Sequence, residues 1–136
     1  MGRWENRTLL MLIYLGRFLQ KMKIKGKQQH KNSGLEGICF VESENYFIVL
    51  NEKQPKQLLE VNLNGEITNK TAFGFSNDVS GICFDPKSTT FWIVSDESQS
   101  IYNTTIKGKL IKSYKIPVDK AEGIVIYNDT IFVKWS

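Results

Sequence analysis

The sequence predicts an all-β chain of stacked four-stranded antiparallel sheets, and three observations carry that prediction. A hexamer returns three times, as Leu35-Glu36-Gly37-Ile38-Cys39-Phe40, Val79-Ser80-Gly81-Ile82-Cys83-Phe84 and Ala121-Glu122-Gly123-Ile124-Val125-Ile126, so the glycines stand 44 and then 42 residues apart. Between the hexamers apolar and polar residues alternate at period two, with Leu59, Val61 and Leu63 set against Glu60 and Asn62, the pattern of a half-buried strand. Turn pairs ending in glycine, Asn64-Gly65 and Lys107-Gly108, fall at the same place in successive repeats. Four strands in a repeat of about 40 to 45 residues make a β-propeller blade.

Taken in order, Met1 to Thr8 fit no repeat position. The run Leu9 to Leu15 follows Arg3 and Arg7 and superficially resembles a signal peptide, but its apolar core is short and no small-residue cleavage site follows. It is also too short to cross a bilayer as a helix. Gly16 to Ile24 align with Gly108 to Ile116, which makes residues 9–24 the third and fourth strands of a blade. Each hexamer then supplies an inner strand, apolar on both faces as befits a strand between neighbouring blades. A polar turn follows, Glu42 to Asn45 or Asp85 to Thr89, and then a second strand, Tyr46 to Leu50 or Phe91 to Val94, closing on Asn51-Glu52 or Asp96-Glu97. The third strand turns through Asn64-Gly65, read as a type I′ hairpin turn because both of its central residues need positive φ. The fourth strand, Glu66 to Thr71 or Lys109 to Ile116, is polar, as at a rim. The chain thus divides into an unassigned segment 1–8, an outer half-blade with its loop 9–32, blades 33–76 and 77–118, and an inner half-blade 119–136. About three blades' worth of strands does not close a ring, since propellers use roughly four to eight blades. The expectation is a partial propeller: a piece of a longer protein, the product of a truncated reading frame, or a unit that pairs with a copy of itself through its blade edges.

The 136 residues, 41% apolar and 24% charged, exclude disordered, collagen-like and multi-span membrane classes. Two cysteines exclude a disulfide-stapled miniprotein and a four-cysteine zinc site. The net charge of +4 is uneven: residues 1–31 carry 8 Lys/Arg against Glu5 alone, and the remainder carries 10 against 13.

Acidic residues recur by position. Glu36 and Glu122 stand just before inner strands, while Asn51, Glu52, Asp96 and Glu97 close the strands that pair with them. In an antiparallel pair one strand begins where the next ends, so all six gather at one face, near the mouth of the channel. Such oxygens suit a hard cation, Ca²⁺ above all, with Glu36 and Glu52 as ligands; the competing role is to cap turns and bond backbone amides. Ser80 stands where the middle repeat would have its Glu. Cys39 and Cys83 occupy equivalent positions on adjacent sheets about 10 Å apart, too far for a disulfide, and read as small core residues. Lys21, Lys23, Lys25 and Lys27 alternate along one side of a strand, where phosphate contact competes with protection of a sheet edge. No aromatic interleaves them, which disfavours nucleic acid. His30, the only histidine, has no nucleophile motif beside it. Phe73, Phe75, Phe91, Trp92 and Phe132 read as blade packing, and the Asn-x-Ser/Thr triplets at Asn6, Asn69, Asn103 and Asn128 as turn chemistry.

The segments Gly34-Leu35-Glu36-Gly37-Ile38, Val49 to Pro55, Leu58 to Ile67, Gly81 to Pro86 and Ile93 to Glu97 together resemble the SdiA-regulated, or YjiK-like, family of bacterial proteins, itself similar to NHL-repeat propellers. That resemblance implies a multi-bladed propeller associated with the cell envelope in some members, with peripheral attachment to the membrane as one possibility. It suggests a non-enzymatic binding or scaffold module for a small ligand or protein. The alternative is a fragment of a calcium-dependent propeller hydrolase, lactonase-like or phytase-like.

Overall fold

The computed structural model describes residues 8–12, 18–23, 35–51 and 56–136. Among them are twelve strands and no helix: β1 (Thr8–Leu12), β2 (Phe18–Lys23), β3 (Leu35–Val41), β4 (Tyr46–Asn51), β5 (Gln57–Val61), β6 (Ile67–Ala72), β7 (Gly81–Asp85), β8 (Thr90–Ser95), β9 (Ser100–Thr105), β10 (Leu110–Lys115), β11 (Ala121–Tyr127) and β12 (Thr130–Trp135). They form a first blade β3-β4-β5-β6, a second blade β7-β8-β9-β10, a half-blade β11-β12 and an N-terminal hairpin β1-β2. All pairings are antiparallel between consecutive strands, and the sheets form an open arc of propeller blades. No helix among the described residues is long and apolar enough to cross a membrane.

The N-terminal hairpin carries a structural mark of its repeat position. Its register skips Leu19, between Gln20 opposite Met11 and Phe18 opposite Leu12. The outer hairpin of the first blade skips Thr68 and that of the second skips Ile111 at the equivalent pair. Three hairpins therefore share one β-bulge at one place, the place at which β1-β2 is a third-and-fourth-strand unit. β1 already starts at Thr8, one residue before the sequence alignment reaches.

Two local expectations are corrected. Leu63 does not continue β5; it lies in the turn and is 44% exposed, while Leu58, on the opposite face from Leu59, is buried. The Asn64-Gly65 turn is not type I′. Only Gly65 has positive φ (82°), Gly65 N–H donates to Asn62 O (3.0 Å), and Asn62 N–H donates to Glu66 O (2.9 Å). That is a three-residue loop with a glycine in the left-handed region, and Gly108 (φ 85°) repeats it with Thr105 and Lys109. The I′ geometry belongs instead to Asn128-Asp129, with φ of 50° and 58° between β11 and β12.

The inner strands lie side by side, β3 against β7 and β7 against β11. A Cβ on Gly81 would stand 3.2 Å from the Gly123 Cα and 3.2 Å from Val94 Cγ1. One on Gly37 would stand 3.0 Å from Leu50 Cδ1 and 3.4 Å from Ile82 Cγ2. The repeated glycine is therefore what lets neighbouring inner strands approach. Val41, Ile48, Leu50 and Leu58 of the first blade pack with Ile82, Phe91, Ile93 and Tyr102 of the second, each such side chain contributing about 1.5–3 kcal/mol by its removal from water. Apolar faces on both sides of an inner strand are buried only for β7: Ile38 on β3 is 46% exposed and Val125 on β11 is 55% exposed. Phe132, expected in blade packing, is likewise 52% exposed on β12. The outer strand β10 is exposed along its whole length, Leu110, Ile111 and Tyr114 included.

Candidate functional site

The edge at which the inner strands begin gathers most of the residues singled out above. In β3 the register steps from Leu35 opposite Asn51 to Gly37 opposite Leu50, leaving Glu36 as an extra residue in a bulge. In β11 the same step, from Ala121 opposite Trp135 to Gly123 opposite Lys134, leaves out Glu122. Ser80 takes the corresponding place before β7, where its N–H (2.8 Å) and hydroxyl (3.3 Å) both donate to Val94 O. A bulge releases one residue from the ladder and re-aims its side chain. The repeat thus presents Glu36, Ser80 and Glu122 at one recurring position along the arc.

The individual groups differ. The side chains of Glu36 and Glu97 are exposed and make no hydrogen bond or ion pair among the described residues. Asn51 is buried at the end of β4. Asp96 Oδ1 accepts from the backbone N–H of Lys120 (2.5 Å), tying the second blade to the entry of the half-blade; Lys120 holds φ of 54° there. Glu122 accepts from Lys134 Nζ (2.5 Å) and Ser136 Oγ (2.6 Å), and these bonds, together with the ammonium charge, hold its carboxyl below the usual range. Glu52 and His30 lie outside the described residues. Among the described residues no group of three or more His, Cys, Asp or Glu side chains is placed to hold a metal ion. Asp96 and Glu122 have taken the capping and bonding role that competed with ligation.

The most connected acid on this edge is one that the sequence reading passed over. Asp78 is buried, and its carboxylate accepts from the Ser95 hydroxyl and from the backbone N–H groups of Asp96 and Glu97 (3.2 Å each). Around it Ser76 Oγ donates to Asp78 O (2.7 Å), and Ser98 Oγ lies 2.9 Å from Ser76 Oγ and 2.7 Å from Ser95 Oγ. Lys56 Nζ donates to Ser76 O (2.9 Å) and Lys115 Nζ to Ser98 O (3.0 Å). This hydroxyl-rich knot fastens the crossover from β6 to β7 onto the turn between β8 and β9. Ser95 is wholly buried, so its hydroxyl serves the fold rather than a substrate. No recurring residue marked it, since the first and third repeats hold Gly34 and Lys120 at the equivalent place.

Cys39 and Cys83 are free thiols. Burial, and secondarily the neighbouring Cys83, pushes Cys39 from 9.0 up to about 12; burial, and secondarily Asp85, pushes Cys83 up to about 11. Both are protonated packing groups at neutral pH. Lys21 and Lys23 stand in β2, opposite Leu10 and Thr8, while Lys25 and Lys27 lie outside the described residues. Of the Asn-x-Ser/Thr triplets, Asn128 is in a turn as expected. Asn69 and Asn103 are instead within strands, Asn103 donating to Thr90 Oγ1 and Phe91 O (3.0 Å each).

A family model described as SdiA-regulated matches residues 16–70 and again residues 63–133. Among solved structures the chain is similar to a protein of unknown function from Bacteroides caccae, at 16% identity and TM-score 0.62 over 91% of this chain and 44% of that one. It is also similar to hydrazine synthase of Kuenenia stuttgartiensis, at 19% identity and TM-score 0.64 over 80% of this chain and 31% of that one. Streptogramin B lyase matches at 18% identity and TM-score 0.64 over 94% of this chain and 41% of that one. The chain spans less than half the length of each, and the likeness is one of fold.

Proposed function

Since the chain belongs to the SdiA-regulated family, we propose that it is a propeller module of the bacterial cell envelope that binds a partner or small ligand rather than converting one. The ligand meets it at the edge where the inner strands begin. The observation that carries this reading is the recurrent position before the repeat glycine, held by Glu36 and Glu122 in bulges and by Ser80 just ahead of β7, which sets an oxygen-bearing side chain at the same step of three successive sheets. Asn51, Asp96 and Glu97 lie at the facing strand ends. Envelope association is supported by the family alone.

The groups with oxygens to spare decide what the edge can hold. Asp96 and Glu122 are already bonded within the fold, whereas the Glu36 and Glu97 carboxylates are free among the described residues; the ligands proposed for a cation are Glu36 and Glu52, which follows Asn51 in the sequence. Carboxylates brought together repel unless a cation or proton offsets them, and calcium accepts such oxygens readily. Calorimetric titration of the chain with Ca²⁺, beside a variant carrying Glu36→Gln and Glu52→Gln, tests this. Heat that disappears in the variant is expected; equal heats, or none at millimolar calcium, would return these carboxylates to a structural role.

A further inference from the structure

We propose that the outer edge of the second blade, strand β10, takes up an extended acidic segment of a partner protein as a fifth strand. β10 pairs with β9 alone among the described strands, so its other edge carries unpaired backbone groups. The fourth strand of a blade lies farthest from the inner strands, and further blades beside this one would leave that edge open. All six residues of β10 are exposed. An open edge of this kind is a template for pairing, and main-chain bonding to an added strand is a recurring mode of peptide recognition.

The ladder fixes which groups are offered. Ile116 N–H donates to Gln99 O (2.9 Å), which makes Ile116 and Gln99 a bonded pair. Bonded and non-bonded pairs alternate along an antiparallel ladder. Tyr114 opposite Ile101 is then bonded, while Lys115 opposite Ser100 and Ser113 opposite Tyr102 are not. The N–H and C=O groups of Ser113 and Lys115 accordingly point away from β9, toward an incoming strand. The bulge at Ile111 precedes them and Pro117, which has no N–H to give, follows, so the pairing is confined to this stretch.

The side chains say what that strand must carry. Lys109 bonds Thr105 across the turn and Lys112 stands opposite Asn103, and Thr105 and Asn103 lie on one face of β9. Lys109 and Lys112 therefore share that face, where Lys112 Nζ stands 5.1 Å from the Tyr114 ring centroid. Leu110, opposite Thr104, and Ser113, opposite Tyr102, share the other face, which Tyr102 turns to the first blade. Leu110 is 40% exposed there although the first blade has all four strands. From Ser98 to Val118 the chain holds four lysines and no acid. Lys115 Nζ bonds Ser98 O within the fold, and Lys107, Lys109 and Lys112 are exposed. Successive side chains of a strand point to opposite faces. A segment that alternates acidic and apolar residues thus sets its acids beside Lys109 and Lys112 and its apolar residues beside Leu110. The repeat itself does not demand this charge: at the equivalent steps β6 has Glu66 and Asn69. A second β10 is a poor occupant, because like charges opposite one another destabilise a pair. Nucleic acid or an anionic membrane would engage the lysines and leave the open ladder and Leu110 unused.

A fluorescent peptide alternating Glu and Val, titrated with the chain and followed by anisotropy, is expected to bind, and to bind more weakly as ionic strength rises. The same peptide with Lys in place of Glu is expected not to bind. Ser113→Pro removes one outward N–H without touching the ladder to β9, a place where an edge strand tolerates proline. Binding should weaken by about tenfold, the equivalent of one main-chain hydrogen bond, while the thermal melt stays cooperative. Lys109→Glu with Lys112→Glu leaves the backbone as it is and should abolish binding of the acidic peptide; this pair decides the matter if Ser113→Pro fails to fold. Lys70→Glu on β6 should change nothing. Three results would overturn the proposal: a folded Ser113→Pro chain that binds as the parent does, equal binding of both peptides, or binding of duplex DNA or phosphatidylserine vesicles without binding of the acidic peptide. None of them bears on calcium at Glu36, so the two proposals fail separately.

Discussion

The first blade meets the second through three strands of each sheet, β3 to β5 against β7 to β9, whereas the half-blade has only its two strands to set against the second blade. At the first interface ten buried residues from both blades form one cluster, and the outer strands take part: Leu58 and Tyr102 belong to it, and a Cβ on Gly108 would stand only 2.9 Å from Thr71 Cγ2. At the second interface the buried set shrinks to Val94, Ile101 and Ala121, with Trp92, Ile116, Ile124, Ile131 and Val133 half-covered around them. A groove of about 540 Å³, lined by Trp92, Tyr114 and Ile116 on one side and Ile126 and Ile131 on the other, runs where the outer strands of a complete blade would lie. The Trp92 indole N–H is buried there without a hydrogen-bond partner. One repeat unit therefore yields a dry interface or a half-open one, according to whether the third and fourth strands stand opposite.

Substitutions at equivalent places should separate the two interfaces, most of all in the core. Phe91 is fully buried and packs edge-on against Phe84, with ring centroids 5.9 Å apart; its counterpart Ile131 is only half-covered at the second interface, and the neighbouring Phe132 is exposed on the half-blade's other face. Phe91→Ala is expected to cost about 3–5 kcal/mol, whereas Phe132→Ala should change urea stability by less than roughly 0.5 kcal/mol. Similar losses at both positions would show that β12 is as well covered as β8.

The glycines make a second contrast. Gly81→Ala pushes a methyl to 3.2 Å from the Gly123 backbone, and overpacking of this sort costs about 1–3 kcal/mol. At Gly123 a Cβ meets nothing within 4 Å, so Gly123→Ala should be tolerated in the single chain. Thermal melts of the pair measure the difference. A third substitution, Asp78→Ala, strips the acceptor from Ser95, Asp96 N–H and Glu97 N–H at once and is expected to cost about 1–3 kcal/mol. Amide exchange at Asp96 and Glu97 should accelerate while that of β4 stays slow.

The cysteines predict a pH dependence of known sign. A folded thiol that holds its proton up to about 11 or 12 titrates later than the same thiol in the unfolded chain, near 9.0. The stability associated with it is complete below pH 9 and is lost as pH rises toward the folded value. Melts between pH 8 and 11 should therefore show a decline that Cys39→Val with Cys83→Val flattens.

These contrasts also mark where the sequence was legible. The glycine spacing revealed the blades because the close approach of inner strands admits no Cβ at Gly81, and that steric demand is local to one residue. The hairpins were visible for the same reason, though the loop at Asn64-Gly65 took a different turn type once Asn62 bonded Glu66 on both sides. Asp78 was not legible, because its partners lie 17 to 19 residues away and meet it only after the crossover folds under the β8-β9 turn. Phe132 was misplaced since hydrophobicity alone does not say whether the strand that should cover a face is present. Glu36 and Glu97 stand where strand order places them, at the start of β3 and just after the end of β8.

The smallest effect concerns the one charge pair that crosses the second interface among the described residues. Lys87, in the turn after β7, places Nζ 3.0 Å from Asp129 Oδ2, in the turn after β11, with side chains 74% and 71% exposed. An ion pair so fully in water gains little, with measured pairs of this kind worth about 0.2–1 kcal/mol. Lys87→Ala should thus lower stability by no more than about 0.5 kcal/mol, and raising the ionic strength from about 0.01 to 1 M, which shortens the Debye length from about 30 to 3 Å, should erase the difference. The partner needs a careful choice: Asp129 has φ of 58°, so alanine there would add backbone strain unrelated to charge, while asparagine tolerates that conformation. A cycle of Lys87→Ala and Asp129→Asn isolates the pair. A coupling above about 1 kcal/mol would exceed the range for exposed pairs and would mean that charge, rather than the row of inner-strand contacts around Gly81 and Ala121, holds the half-blade to its neighbour.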